Sequence, residues 1–242
     1  MKIEFFGSSH GIPSEIRYCT SLCVEVNGAR YLFDAGAPVV HLFLRKNYPL
    51  ASLRAVFVSH MHGDHVAGLP ELLDLCNWAL REAAFTTHFP EESGISLINT
   101  YLATVSGAVL REELKMAVIE EGVCYTDENI TVTAVRVDHV AGMPSYGYLI
   151  EAEGKRVYFS GDMSYDLHDF PTMLYNTEVD LLITEFAHCE ASVLYAHLEK
   201  CKAKRICLNH IWPLEKRLPD MAAVWTRSDA PIVAEDDMLI EI

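Results

Sequence analysis

Apolar residues in this chain fall into short runs separated by glycine, proline and charged residues, and their spacing changes from one segment to the next. Residues 2–6 are apolar around a single Glu4 and read as a first strand. Residues 22–26 and 30–34 read as two further strands joined at Asn27-Gly28, a dipeptide that accepts the positive φ angles of a tight hairpin. Between them, residues 7–19 form a loop rich in glycine, serine and proline. A short helix is expected at 39–45 and a buried strand at 55–59. Leu69, Leu72, Leu73, Cys76 and Leu80 then recur at helical spacing. A strand at 85–88 and a helix at 94–104 follow. Residues 130–137 alternate with period two, and 146–151 with 156–160 form a hairpin over Glu153-Gly154. The last third reads as strand 181–184, helix 192–201, strand 205–208, helix 218–224 and strand 239–242. This order predicts an α/β fold with residues 1–242 in a single domain.

Composition narrows the partners. The chain has 242 residues, half of them hydrophobic, which suffices for one substantial core. Nineteen basic residues against 34 acidic ones give a formal charge of −15, a field that repels nucleic-acid phosphate. A small-molecule substrate is therefore expected, with no stable nucleic-acid complex. The seven cysteines show no Cys-x-x-Cys pairing, and several interrupt apolar runs, as free thiols of a reducing compartment do. Glu4 within the first apolar run argues for a strand rather than a signal peptide. No apolar run approaches the ~18 residues of a membrane span. A cytoplasmic protein that does not enter membranes is expected.

The chemistry is concentrated in Ser59-His60-Met61-His62-Gly63-Asp64-His65, directly after the strand at 55–59. Four potential metal ligands within six residues are hard to explain as packing, because clustering groups that are costly to desolvate gains nothing without a ligand. If extended geometry persists, His60 and His62 share a face. Three further polar residues follow the ends of apolar runs: His139 after 130–137, Asp162 after 156–160, and His210 after 205–208. Strand ends are rigid places from which to hold a ligand. Together the set is His60, His62, Asp64, His65, His139, Asp162 and His210, enough donors for two metals with a shared carboxylate.

The His-x-His-x-Asp-His run, the later lone histidine, Ser160-Gly161-Asp162 and Asn209-His210 together resemble the metallo-β-lactamase fold superfamily. Residues 7–13 and Asp34-Ala35-Gly36 also fit its first strands. In outline the chain is similar to small bacterial ribonuclease Z-like or phosphodiesterase-like members. The resemblance implies a four-layer αβ/βα sandwich with the metal site at one edge. It implies His60, His62 and His139 on a first metal, Asp64, His65 and His210 on a second, and Asp162 bridging both. The cofactors implied are two divalent transition-metal ions, zinc first, with manganese or iron as alternatives. Members that open β-lactams commonly carry cysteine where this chain has Asp162. Flavodiiron relatives replace one of these histidines with glutamate.

The expected activity is hydrolysis, foremost of a phosphodiester in a small nucleotide-like substrate. Alternatives are a lactone, ester or thioester hydrolase, or a metal-dependent metabolite-binding protein without catalysis. Asp64 is expected to serve catalysis as well as metal binding. His188 resembles the position of an accessory catalytic histidine in ribonuclease Z-like members. His10 and Trp212 are candidate substrate-binding residues, and Trp78, Tyr101, Met143 and Tyr146 could add to an aromatic wall. Relatives that process transfer RNA carry a long arm between the segments resembling 146–150 and Ser-Gly-Asp, whereas here only Glu151-Ala152-Glu153-Gly154-Lys155 intervenes. A basic rim of Arg17, Lys202, Lys204, Arg205, Lys216 and Arg217 would be the route to RNA. A homodimer is expected, with residues 94–110 as a face.

Overall fold

The computed structural model describes residues 1–242. Two seven-stranded mixed sheets face one another. The first has the order β14 (Leu239–Glu241), β1 (Lys2–Gly7), β2 (Ser21–Val26), β3 (Ala29–Phe33), β4 (Leu53–Phe57), β5 (Phe85–Phe89) and β6 (Leu114–Val118). The second has the order β13 (Ile232–Val233), β12 (Ala203–Ile211), β11 (Val179–Phe186), β10 (Lys155–Phe159), β9 (Met143–Ala152), β8 (Thr131–Val140) and β7 (Gly122–Thr126).

Alternation along the strands divides the apolar residues between two faces. Phe5, Tyr31 and Phe57 of the first sheet meet Tyr148, Val157, Phe159, Ile183 and Cys207 of the second in a shared inner core. Their neighbours Phe6, Leu32 and Val56 point the other way, onto α1 (Val39–Arg45), α3 (Leu69–Trp78) and α4 (Glu92–Val105). Likewise Tyr158, Leu182 and Leu208 face α5 (Ala191–Leu198) and α6 (Leu214–Val224). The layers are helix, sheet, sheet, helix: the four-layer metallo-β-lactamase fold. No helix is long and apolar enough to cross a membrane.

The predicted hairpins form over Asn27-Gly28 and Glu153-Gly154, with all four residues at positive φ. Several boundaries differ from expectation. Strand β4 ends at Phe57, not Ser59, because Val58 turns its N–H to the His88 carbonyl and Ser59 turns its N–H to the Asp34 carboxylate. Edge strands β6 and β7 have no clear alternation of burial, and β13 has two residues, so a period-two pattern does not reveal them. Strands β8 and β12 run through His139 and His210 rather than stopping before them, each with a register break nearby. Helix α6 starts at Leu214, four residues earlier than expected, and carries Pro219 within it on an exposed position.

Candidate metal centre

All seven predicted ligands converge at one edge of the sandwich. The first sheet contributes the segment after β4: His60 and His62, then Asp64 and His65 on the single-turn helix α2 (Gly63–Val66). The second contributes His139 from β8, Asp162 just after β10 and His210 from β12. Two glycines permit this approach. A Cβ on Gly36 would stand 1.7 Å from the Asp64 carbonyl oxygen, so the Asp34-Ala35-Gly36 turn packs backbone to backbone against α2. Gly161, at φ +59, delivers Asp162 where a Cβ would meet the Tyr146 carbonyl oxygen at 2.5 Å.

Hydrogen bonds behind the histidines decide which ring nitrogen faces the centre. Nδ1 of His65 donates to the Asp34 carboxylate at 2.7 Å. Ser59 Oγ donates to the same carboxylate at 2.8 Å and so accepts from His60 Nδ1 at 3.0 Å. Thr20 Oγ1 donates to the Ser9 carbonyl at 3.0 Å, which leaves it to accept from His210 Nδ1 at 2.7 Å. His139 Nδ1 donates to the Met163 carbonyl at 3.2 Å. Four imidazoles thus turn Nε2 inward, whereas His62 presents Nδ1, 3.0 Å from His60 Nε2 and 3.3 Å from His139 Nε2.

The donors fit metal ions. Nitrogens bound tetrahedrally at the usual zinc–nitrogen length stand about 3.3 Å apart, close to the spacings within His60, His62 and His139. A second group joins Asp64, His65 and His210, with Asp64 Oδ2 3.4 Å from His65 Nε2 and 3.8 Å from His210 Nε2. One oxygen, Oδ2 of Asp162, lies 3.8 Å from both His60 and His139 and 3.4 and 3.2 Å from His65 and His210. It therefore faces both groups. Nε2 of His65 and of His210 are buried without a hydrogen-bond partner, which is costly unless a ligand engages them.

Charge in the cluster is strongly coupled. Burial, together with neighbouring His65, pulls the imidazole of His60 down to about 2. Burial and the neighbouring His139 also lower His62. Burial would lower His65 too, but Asp162 and Asp34 on either side outweigh it and hold that imidazole well above its usual range. Burial would raise Asp162, yet His210 and His65 hold it well below the carboxylate range. The same contest, won by His65 and His210, keeps Asp64 low.

His188, His10 and Trp212 line the rim. His188 follows β11, with Nδ1 3.3 Å from Glu185 Oε1 and 3.8 Å from Asp162 Oδ2. Burial opposes its charge, but Glu185 prevails and raises it to about 9. The His10 ring lies 5.0 Å from His210 and 5.5 Å from His188, and parallel to Trp212 at 6.1 Å. Burial and these two histidines push His10 down to about 4.

The other aromatic candidates lie elsewhere. Tyr146 packs in the inner core, Tyr101 against the outer core, and Trp78 is exposed at the far end of α3. Met143 opens β9 and is half-buried. Met143 pairs with Val140, next to His139, and the Tyr146 backbone meets Ser59 and Gly161 while its ring packs inward; Trp212 stacks on His10 at the rim.

Of the basic candidates, Arg217 reaches the loops beside the centre, where backbone carbonyls take up its donors, whereas Lys204, Arg205 and Arg17 are engaged elsewhere. Lys204 pairs with Glu178 and Asp180, and Arg205 donates to the Glu241 carbonyl, both near the start of β12 and some 15–20 Å of strand from His210. Arg17 is buried and donates to the Ala234 carbonyl.

Sequence reasoning missed Glu185, Thr20 and the role of Asp34. The available signals were a carboxylate inside an apolar strand three residues before a histidine, and a hydroxyl at the mouth of a strand. Both are weak without the fold.

Comparison with known proteins places this geometry. The family described as Anti-Pycsar protein Apyc1 matches residues 1–206. A ribonuclease Z of Geobacillus kaustophilus is 38% identical over 154 residues, covering 62% of this chain and 48% of the relative. A ribonuclease Z of Listeria innocua is 35% identical over 159 residues, covering 64% and 51%. The chain spans about half the length of these curated relatives. Among solved structures, the short form of human tRNase Z superposes with a TM-score of 0.77 at 22% identity, covering 100% of this chain and 99% of that one. The metallo-β-lactamase fold protein YhfI from Bacillus subtilis gives 0.79 at 19% identity, covering 99% of each.

Proposed function

This chain belongs to the Anti-Pycsar protein Apyc1 family, and from that premise we propose that it is a metal-dependent hydrolase of phosphodiesters in small nucleotide-like substrates. The observation that carries this reading is the pair of donor groups meeting on one oxygen of Asp162, with His188 beside them. His60, His62 and His139 would hold one divalent ion, and Asp64, His65 and His210 a second, with Asp162 shared and zinc the first candidate. Bound there, the ions supply Lewis acidity that activates water and neutralises charge on a phosphoryl group.

The chain's own residues supply the rest. Asp64, part-exposed at the mouth of the cluster, orients the attacking water and accepts its proton. His188 donates a proton to the departing oxygen, and Glu185, 2% exposed, holds that imidazole in place. Glu185 is itself fixed by the N–H groups of Ala187 and His188 at 2.7 and 3.2 Å. Trp212 and His10 offer a flat surface to a base or ring.

Phosphodiesters are favoured over lactones, esters and thioesters by the ribonuclease Z name of the relatives and by the three imidazoles of His10, His188 and His210 along one side of the opening. A small substrate is favoured over RNA by the charge of −15, by the distance of Lys204 and Arg205 from the centre, and by the two-residue turn between β9 and β10. The unpaired cysteines suit the cytoplasm.

Metal-loaded protein assayed on bis-p-nitrophenyl phosphate, cyclic nucleotides, lactones and acyl-glutathione tests the reading. Turnover of the phosphodiesters is expected, with Asp64→Asn slower by about a hundredfold or more. Turnover of the carbonyl substrates alone would reverse the assignment. Tight binding of an unhydrolysed metabolite without turnover would favour a binding protein. Micromolar, steeply salt-dependent binding of precursor transfer RNA would overturn the small-substrate reading.

A further inference from the structure

We propose that Arg217 is a positioning residue for the proposed reaction, holding His188 at the angle from which it protonates the leaving group. The inference rests on the reading of His188 as the proton donor. The Arg217 side chain is 12% exposed and reaches back from α6 to the two loops that border the metal centre. Its Nη2 donates to the Ala187 carbonyl at 2.7 Å and its Nη1 to the Cys189 carbonyl at 2.7 Å. These carbonyls stand immediately before and after His188. Its Nε donates to the Trp212 carbonyl at 3.1 Å, in the loop that follows His210. The guanidinium also lies 5.5 Å from the centre of the Phe186 ring and 3.8 Å from Glu190.

The turn that carries His188 is therefore held from two sides by opposite charges. The Glu185 carboxylate accepts the N–H groups of Ala187 and His188 and contacts the imidazole, while Arg217 donates to the carbonyls flanking that histidine. Three hydrogen bonds from one planar fork fix the orientation of the loop, not only its distance from α6. A lysine ammonium is a point donor on a flexible stem and cannot reproduce three such directions at once. Helix α6 is itself anchored by Met221, with Leu214, Leu218 and Val224 packed against the same outer core, so Arg217 reaches the turn from a fixed base. A proton donor must stay within hydrogen-bond reach of the departing oxygen, and a misplacement of an ångström can cost about a hundredfold in rate.

The test separates protonation of the leaving group from folding and from metal binding. Arg217→Gln and Arg217→Lys would be assayed as metal-loaded protein on two kinds of diester. One, bis-p-nitrophenyl phosphate, expels a phenolate that needs no proton. The other, a cyclic nucleotide, expels an alkoxide that does. The expected result is a loss of about a hundredfold in kcat on the cyclic nucleotide, with KM and the p-nitrophenyl rate within about threefold of wild type. Arg217→Lys should fall with Arg217→Gln, and guanidinium ion at low millimolar concentration should partly restore Arg217→Ala. Equal losses on both substrates, or no loss on either, would overturn the proposal.

Hydrogen exchange of the same variants gives a readout that needs no turnover. Amides 187 and 188 should lose protection by tenfold or more while those of β11 keep theirs. Unchanged protection at 187 and 188 would also overturn the proposal. Failure of the wild-type protein to cleave any diester would sink the functional reading instead, with hydrogen exchange still deciding whether Arg217 holds the turn.

Discussion

The carboxylate of Asp34 stands 2.7 Å from Nδ1 of His65 and accepts, in addition, the N–H and the hydroxyl of Ser59 at 2.7 and 2.8 Å. Asp34 sits at φ +61, a backbone conformation that few non-glycine residues tolerate but that asparagine and aspartate do. The strain thus lies beneath the candidate metal centre, at the residue that selects the tautomer of two of its histidines. Asp34→Asn preserves shape and backbone preference but weakens the charge-assisted contact to His65. It should reduce metal affinity by about ten- to a hundredfold, read by competition with a chromophoric chelator. An unchanged affinity would mean that Asp34 serves folding alone.

Thr20→Val removes the one hydroxyl that passes a hydrogen bond from His210 to the Ser9 carbonyl. Two buried groups lose their partner while volume is kept. A loss of about 1–3 kcal/mol is expected in denaturant unfolding, with weaker metal binding than in the wild type. Loss of stability without loss of affinity would place Thr20 outside the tuning of His210.

Protein purified without chelator should contain close to two equivalents of metal per chain by elemental analysis. Stripping it should lower the unfolding temperature, and restoring zinc should raise it again. Binding at a thousand times the dissociation constant contributes about 4 kcal/mol per site. A stoichiometry near zero after reconstitution with zinc, manganese or iron would remove the metal centre from the account.

His88 offers a pH dependence away from the metal ligands. It lies on β5, is buried, stacks at 4.9 Å on Phe57, and leaves Nε2 without a partner. Burial lowers it from 6.5 to about 4. Between these values the unfolded chain binds a proton that the folded chain refuses. The stability present above pH 6.5 is accordingly lost as pH falls toward 4, by up to about 3 kcal/mol. His88→Phe should remove that component, so the wild-type minus variant difference in unfolding free energy should drift across this window. A flat difference would show that His88 titrates normally.

The exposed apolar residues Trp78, Val105 and Val109 gather where the end of α3 meets the segment after α4, which Asn77 joins by donating to the Val109 carbonyl. This patch overlaps the face expected for a homodimer. Trp78→Glu together with Val109→Glu should convert a dimer to a monomer in sedimentation or light scattering. A wild-type protein that sediments as a monomer would refute this face.

The convergence of the seven candidate donors was legible because their chemistry is carried by side chains in unusual residue types at short spacing, and because apolar runs marked the strands that deliver them. Strand ends were less legible. His139 and His210 lie inside strands whose register breaks beside them, and a register break leaves no periodic trace. Glu185 could be seen as a carboxylate in an apolar run, but its role depends on N–H groups and an imidazole brought together only by the turn after β11. Sequence alone groups Arg217 with a basic rim, because it shows the charge and not the partners. Those partners are backbone carbonyls, which have no residue type of their own. Edge strands β6 and β7 escaped because one flank of each has no strand beside it and their side chains are free to be polar.

The donors come from both sheets, residues 60–65 from one and His139, Asp162 and His210 from the other. During synthesis the histidine-rich motif therefore emerges some 145 residues before the last donor, and the centre cannot exist until β12 has docked beside β11. A nascent chain can hold a cation only as a loose peptide does. With the proposed ions bound, tight loading would report that the whole sandwich has closed, metal retention would read out completed folding, and truncation before residue 203 would leave a chain that carries the motif without the centre.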